Sequence, residues 1–271
     1  MEIRKERLTR YIEPLREGGS LPALAEASDG FKYAVKLKGA GHGAKSLVAE
    51  LIGGMVAKAF KFKTPELVFL DLSHLFGITE PDPEIQELLR KSEGTNLGLH
   101  FLDGAFTFDP AVNEIDSLTA SKIVWMDAFL GNVDRSRLNP NMMIWNRELW
   151  LIDHGASLYF HHSGKDAETA ALDPFPYIRN HALLPIADRL EEADKLMRQA
   201  ITPRTLEKIV DLVPDEWLKS EEEQKSPDQL RKEYKRYLTL RLANSDVFTR
   251  QAIYERGQGP YVSPLKGTWV K

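Results

Sequence analysis

Three polar residues around one short hairpin constrain this chain more than any other feature. Asp134 and Asn141 precede the apolar run Met142-Met143-Ile144-Trp145, and Asp153 ends the second run, Leu149-Trp150-Leu151-Ile152. The residues between, Asn146-Arg147-Glu148, read as a turn. Folding the runs against each other brings two carboxylates and a carboxamide to one mouth of the hairpin. Oxygen donors of this kind suit Mg²⁺, which is held by one or two carboxylates together with substrate phosphates. Phosphoryl transfer needs a further acid to orient the attacking hydroxyl. Asp134 and Asp153 offer one carboxylate for each task.

Composition narrows the alternatives. The 271 residues suffice for one large domain or two lobes with a buried core. With 36 basic and 40 acidic residues the net charge is −4, which gives no electrostatic basis for nucleic-acid binding. The absence of cysteine excludes disulfides, thiolate-bound zinc and a thiol nucleophile. Met1-Glu2-Ile3-Arg4-Lys5-Glu6-Arg7 is too charged for a signal peptide, and no apolar run is long enough to cross a bilayer. A soluble, cytoplasmic protein without membrane partners is expected.

The first hundred residues read as strands around one helix. Residues 21–28 and 31–38 flank Asp29-Gly30, a dipeptide that favours tight hairpins with positive φ at both central positions. Alternation along 31–38 puts Lys32, Lys36 and Lys38 on one face and Tyr33, Val35 and Leu37 on the other. A helix is expected from Ser46, as N-cap, to about Phe60. Leu67-Val68-Phe69-Leu70 reads as another strand. Glu50 is the single acid between Asp29 and Glu66, amid seven lysines. It either pairs with a strand lysine or, lying opposite the centre of the helix's apolar stripe, points to water.

Beyond residue 100 helical spacing dominates outside the hairpin. Leu99 to Leu102 reads as a strand and Asp103-Gly104 as a hinge, followed by a helix from about Asp116 to Leu130. Further helices are expected near 182–200, 203–212, 227–243 and 246–255. Thr202-Pro203 and Ser226-Pro227 each combine an N-cap with proline at the first helical position. Glu221 to Lys225 reads as an exposed loop or frayed helix end, and His161-His162 as an exposed loop pair instead of a metal site. The change from strands to helices near residue 100 predicts an α+β protein of two lobes with a cleft between them.

Taken in order, Tyr33-Ala34-Val35-Lys36, Val48-Ala49-Glu50-Leu51, Gly131-Asn132-Val133-Asp134-Arg135, Asn139-Pro140-Asn141 and Leu151-Ile152-Asp153-His154-Gly155 resemble the HipA-like kinases, within the wider protein-kinase-like fold. The likeness spans roughly residues 9–245, and Asp-Arg in the catalytic loop is similar to phosphoinositide kinases. It implies a strand-rich N-lobe over 1–102 and a helical C-lobe over 103–271. It implies Lys36 on the ATP phosphates, Glu50 paired with Lys36, Asp134 as catalytic acid, and Asn141 and Asp153 on Mg²⁺. Gly18, Gly19 and Ser20 would form the loop over the phosphates, with Ser20 a candidate autophosphorylation site. The chain departs from the pattern in lacking GxGxxG and His-Arg-Asp, and in being shorter than the longer HipA toxins.

Two asparagines compete for the metal. Counting five residues from Asp134 selects Asn139, whereas the place immediately before an apolar strand selects Asn141. Pro140 biases Asn139 toward extended backbone, which favours Asn141. The implied substrate is a protein Ser/Thr hydroxyl, with an antitoxin-like small partner as a further implication. The rival readings are a catalytically inactive ATP-binding scaffold, a lipid or small-molecule kinase, and a phosphate loop at Gly39 to Ser46. The last fails the GxxxxGK[ST] pattern because Ala44 separates Gly43 from Lys45.

Overall fold

The computed structural model describes residues 2–15, 22–41, 43–76, 81–110, 112–219 and 224–259. The Gly18, Gly19 and Ser20 assignments lie outside these residues. The chain is α+β, as its patterning predicts.

Strands β1 (Lys5–Pro14), β2 (Ala23–Ala27), β3 (Lys32–Lys36), β4 (Leu67–Leu72) and β5 (Gly94–His100) close a barrel in the order β1-β2-β3-β5-β4. The closing pair, β1 with β4, is parallel; the other neighbours are antiparallel. Alternation fills the barrel interior: Ala23, Ala25 and Ala27 leave room for Tyr33, Val35, Val68 and Leu70. The β2–β3 turn lies where Asp29-Gly30 predicts it, but Gly30 alone has positive φ, at 80°. The Ala27 and Gly30 amides donate to Phe31 O and Ala27 O. The loop therefore spans three residues and ends in a left-handed glycine, which relieves Asp29 of that conformation.

Helix α1 (Gly43–Ala59) starts three residues before the expected cap. Gly43, at φ 61°, turns the chain into the helix, and the Ser46 hydroxyl donates back to Gly43 O from within the first turn. Every residue from Leu47 to Ala57 is buried. That burial all round overturns the expectation of one wet face, because the helix lies between the barrel strands and the helices that follow. Helix α2 (Pro83–Lys91) was not expected, although Asp82 caps it and Pro83 opens it, a readable start signal. The strand foreseen at Leu99–Leu102 begins instead at Gly94 and ends at His100.

Strand β6 (Phe106–Thr107) pairs with the hairpin of β7 (Met142–Trp145) and β8 (Glu148–Leu151). The turn holds two residues, not three: Asn146 and Arg147 both have positive φ and Glu148 already pairs with Trp145. This is the tight hairpin whose twist matches that of its strands. Helix α3 (Ser117–Leu130) is capped by Asp116 and stopped by Gly131 in the left-handed conformation.

The remaining helices are α4 (Ala167–Ala171), α5 (Leu190–Ala200), α6 (Pro203–Val210), α7 (Asp215–Leu218), α8 (Pro227–Ala243) and α9 (Ser245–Gly257). Thr202 and Ser226 cap α6 and α8 as predicted, the latter through a reciprocal bond with Gln229. The helix expected from 182 begins only at Leu190; residues 182–186 form turns and 187–189 an irregular stretch, held by Ala182 N to Arg135 O and Arg189 N to Ser121 Oγ. One-turn 3₁₀ segments occupy Tyr159–His162 and Pro176–Asn180. His162 is exposed but His161 is half-buried, its Nδ1 3.1 Å from the Tyr234 hydroxyl. Within the run from Glu221 to Lys225, Gln224 and Lys225 are non-helical and 221–223 lie outside the described residues.

An aromatic cluster ties these layers together. Trp125 stacks on Phe129 at 5.5 Å between ring centres, with Phe60 and Phe248 edge-on to the tryptophan. Each fully buried side chain of this size stabilises the fold by roughly 1.5–3 kcal/mol. The core thus runs without a break from α1 through α3 to α9.

Candidate active site

Lys36 and Glu50 are brought together by alternation in β3 and by the burial of α1. Tyr33 and Val35 point into the barrel, which turns Lys36 outward, toward α1. Its Nζ lies 2.6 Å from Glu50 Oε2 and 2.5 Å from Asp153 Oδ1. Glu50 is fully buried, so pairing, not solvation, is its state. Burial disfavours charge on Lys36, but the two carboxylates outweigh it and raise its pKa. Burial would likewise raise Glu50; the attraction of Lys36 prevails and lowers its pKa to about 2.

Asp153 reaches this cluster because of the backbone after β8. It adopts the left-handed conformation, φ 50°, which Asp tolerates better than most residues. Its Oδ1 also accepts from the Gly155 amide at 3.2 Å. The following His154 is buried, with Nδ1 3.8 Å from Glu50 Oε1, too long for a hydrogen bond. Gly53 makes this approach of α1 possible: a Cβ there would sit 2.5 Å from His154 Cβ.

Asp134 stands at the hairpin mouth, half-buried. Its Oδ2 accepts from Asn139 Nδ2 at 2.8 Å and from Asn141 Nδ2 at 3.0 Å. A carboxylate is an acceptor only, so each amide NH₂ faces Asp134 and each carboxamide oxygen is left for another partner. The two asparagines differ in setting. Asn139 is exposed on the loop, whereas Asn141 is buried, left-handed at φ 48°, and accepts the Ile152 amide at 3.0 Å. Sheet register therefore fixes Asn141 beside Ile152 and Asp153.

Chain-wide comparison supplies the family. The sequence matches the HipA-like kinases over residues 8–252. This protein belongs to the HipA-like kinase family. Its fold is similar to that of the Helicobacter pylori proinflammatory kinase CtkA, with a TM-score of 0.50 and 13% identity, over 93% of this chain and 99% of that one. At that identity the likeness speaks for the fold alone. No curated protein matches the chain.

The kinase holds its Asp134 loop through a buried network that sequence reasoning missed. Arg135 is fully buried; its Nε donates to Asp127 Oδ2 at 2.6 Å, and its Nη1 donates to the carbonyls of Asn141 and Ile152. One guanidinium thus ties α3 to both strands flanking the hairpin mouth. Asn132 donates to the other Asp127 oxygen at 3.0 Å, and its own carbonyl oxygen accepts the Asp134 amide at 3.1 Å. His181 Nδ1 accepts from Leu183 N, so the proton sits on Nε2, 2.9 Å from Asp127 Oδ2. Burial lowers the His181 pKa against the pull of Asp127, in keeping with a neutral ring. Asp127 itself is driven well below the carboxylate range, since Arg135 outweighs the burial that would raise it.

A signal for this network was present. Asp127 is a lone carboxylate in Trp125-Met126-Asp127-Ala128-Phe129, the same kind of anomaly that singles out Glu50. Among the described residues no helix is long and apolar enough to cross a membrane.

The donor set fits a magnesium–nucleotide pair. Asp153 is partly exposed, Asn141 has an uncommitted carboxamide oxygen, and a two-ligand protein site suits an ion that takes its remaining ligands from phosphates and water. No cluster of three or more His, Cys, Asp or Glu competes for a metal among the described residues.

Proposed function

We propose that this kinase transfers the γ-phosphate of ATP to a protein serine or threonine hydroxyl, with Mg²⁺ as cofactor. The observation that carries the reading is the convergence of Lys36, Glu50 and Asp153 from positions up to 117 residues apart, beside the Asp134–Asn141 pair. In this reading residues 1–102 form a nucleotide-covering lobe and 103–271 a catalytic lobe, with the cleft between them.

Lys36 neutralises charge on the α- and β-phosphates, and Glu50 keeps its ammonium aimed into the cleft. Asp153 and Asn141 would hold the metal, which would offset phosphate charge when bound. Asp134 orients the acceptor hydroxyl and takes its proton. Asn139 and Asn141, donating to one Asp134 oxygen, orient its carboxylate and leave the other oxygen for the substrate. Arg135 and Asp127 fix the loop so that this geometry exists before substrate arrives.

The test is incubation of the protein in lysate with γ-labelled ATP, followed by identification of the labelled molecules and residues. Label on protein serine or threonine supports the proposal. Label on lipid or small molecules alone would replace the substrate class, and ATP binding without transfer would favour a scaffold.

A further inference from the structure

We propose that His154 is a positioning residue of the transfer site, which takes the free oxygen of Glu50 when Lys36 releases Asp153. The proposal deepens the kinase reading and rests on it.

Helix α1 and the turn after β8 are keyed together at one point. Gly53 lies one turn beyond Glu50 on the same face of α1. A Cβ on Gly53 would meet His154 Cβ at 2.5 Å and Cγ at 3.1 Å, so the histidine rests directly on the helix backbone. The His154 carbonyl accepts from the Ser157 amide at 2.9 Å, and Asp153 Oδ1 accepts from the Gly155 amide at 3.2 Å. Both residues thus belong to one hydrogen-bonded turn, and whatever holds the ring holds the carboxylate.

Hydrogen-bonding capacity stands unused across this joint. Glu50 gives Oε2 to Lys36, while its buried Oε1 has no hydrogen-bond partner among the described residues. His154 is 1% exposed; its Nδ1 lies 3.8 Å from that oxygen, and its Nε2 is buried without a partner. Buried polar groups are costly to leave unpaired. An approach of about 1 Å would turn the Nδ1 contact into a hydrogen bond. A histidine suits this place because its ring N–H donates to a carboxylate, which a phenyl ring of similar shape cannot do.

Lys36 explains why the bond is not yet made. Its Nζ spans Glu50 and Asp153 at 2.6 and 2.5 Å, which sets the spacing between α1 and the Asp153 turn. In the kinase reading nucleotide and metal claim both ends of the Lys36–Asp153 contact, so that contact opens when they bind. Lys36 stays with Glu50, and the Asp153 turn loses its tie to the pair. His154, already seated on Gly53, then closes onto Glu50 Oε1 and keeps Asp153 in place.

The test follows the bond by NMR in the full-length protein labelled with ¹⁵N at histidine, as a strongly deshielded ring N–H that is missing in His154→Phe. It is expected with Mg²⁺ and a non-hydrolysable ATP analogue, and also in Lys36→Met without ligand, where the lysine tie is gone. It should be absent from unliganded wild type and much weaker in liganded Glu50→Gln. Transfer gives a second readout. His154→Phe should lower kcat at least tenfold with the KM for ATP within about threefold of wild type. His154→Asn, whose amide donates from the Nδ1 position, should recover at least a third of the wild-type rate. A silent ring in both the nucleotide complex and Lys36→Met, or wild-type kcat in His154→Phe, would overturn the proposal. A protein that transfers to nothing while the ring still closes in Lys36→Met would sink the kinase reading and keep the His154–Glu50 contact.

Discussion

Arg135 and Asp127 form an ion pair at 2.6 Å in which neither side chain is exposed to solvent. The pair joins the last turn of α3 to the loop that carries Asp134, and the same guanidinium reaches the carbonyls of Asn141 and Ile152. Removing one member leaves the other charged and buried, which typically costs about 3–5 kcal/mol. Arg135→Ala should therefore lose about that much stability in urea titration. Arg135→Lys should lose less but still fail to restore transfer, because an ammonium cannot reproduce the planar fork that spans three acceptors. Full activity in Arg135→Lys would show that the fork does not position the loop.

Glu50 gives a pH signature. Its carboxyl is held at about 2 in the folded protein against an ordinary value of 4.5. The folded state then binds fewer protons than the unfolded state between these values, so stability is present above pH 4.5 and falls as pH drops toward 2. Glu50→Gln should be less stable than wild type at neutral pH and should lose less on acidification across that window. Parallel stability curves for the two proteins would contradict the buried ion pair.

Lys36 and Lys38 separate function from architecture. Lys36 meets Glu50 and Asp153, whereas Lys38 pairs with Glu216 of α7, tying the barrel to that helix. Lys36→Ala should reduce transfer by at least about 100-fold, on the scale of losing a preorganised charge at the phosphates. Lys38→Ala should keep nearly full kcat and lose about 1 kcal/mol of stability or less, as expected of a partly exposed pair. The reverse order in a steady-state assay would assign the phosphate contact to the wrong lysine.

Much of this was legible in the sequence because it depends on local rules. Alternation placed Lys36 on the face opposite Tyr33 and Val35, and caps at Thr202 and Ser226 appear where expected. What escaped depends on tertiary packing. No periodicity announces that α1 is buried on all sides, so Glu50 stayed ambiguous until both of its neighbours were in place. Asp127 and His181 meet across 54 residues, and a contact at that distance leaves no spacing to read. The start of the helix expected from 182 failed for a related reason: apolar residues there serve turns that support Arg135 and α3.

The two asparagines make the metal assignment testable. Asn141, fixed beside Asp153 by the sheet register, should be the one that the metal requires. Asn141→Ala should raise the magnesium concentration for half-maximal transfer at least tenfold, and Asn139→Ala no more than about threefold. Because both amides donate to Asp134, each variant should also lower the rate at saturating magnesium. A larger magnesium shift in Asn139→Ala would move the ligand to the loop position.

Asp134 tests the central claim most directly. Transfer from γ-labelled ATP and equilibrium binding of ATP with Mg²⁺ should be measured side by side for wild type and Asp134→Ala. A residue that faces the acceptor hydroxyl acts in the transfer step and touches nucleotide little. Transfer should fall at least 100-fold, in the range expected for loss of general-base assistance, with nucleotide affinity within about threefold of wild type. Transfer that survives intact in Asp134→Ala would contradict the account.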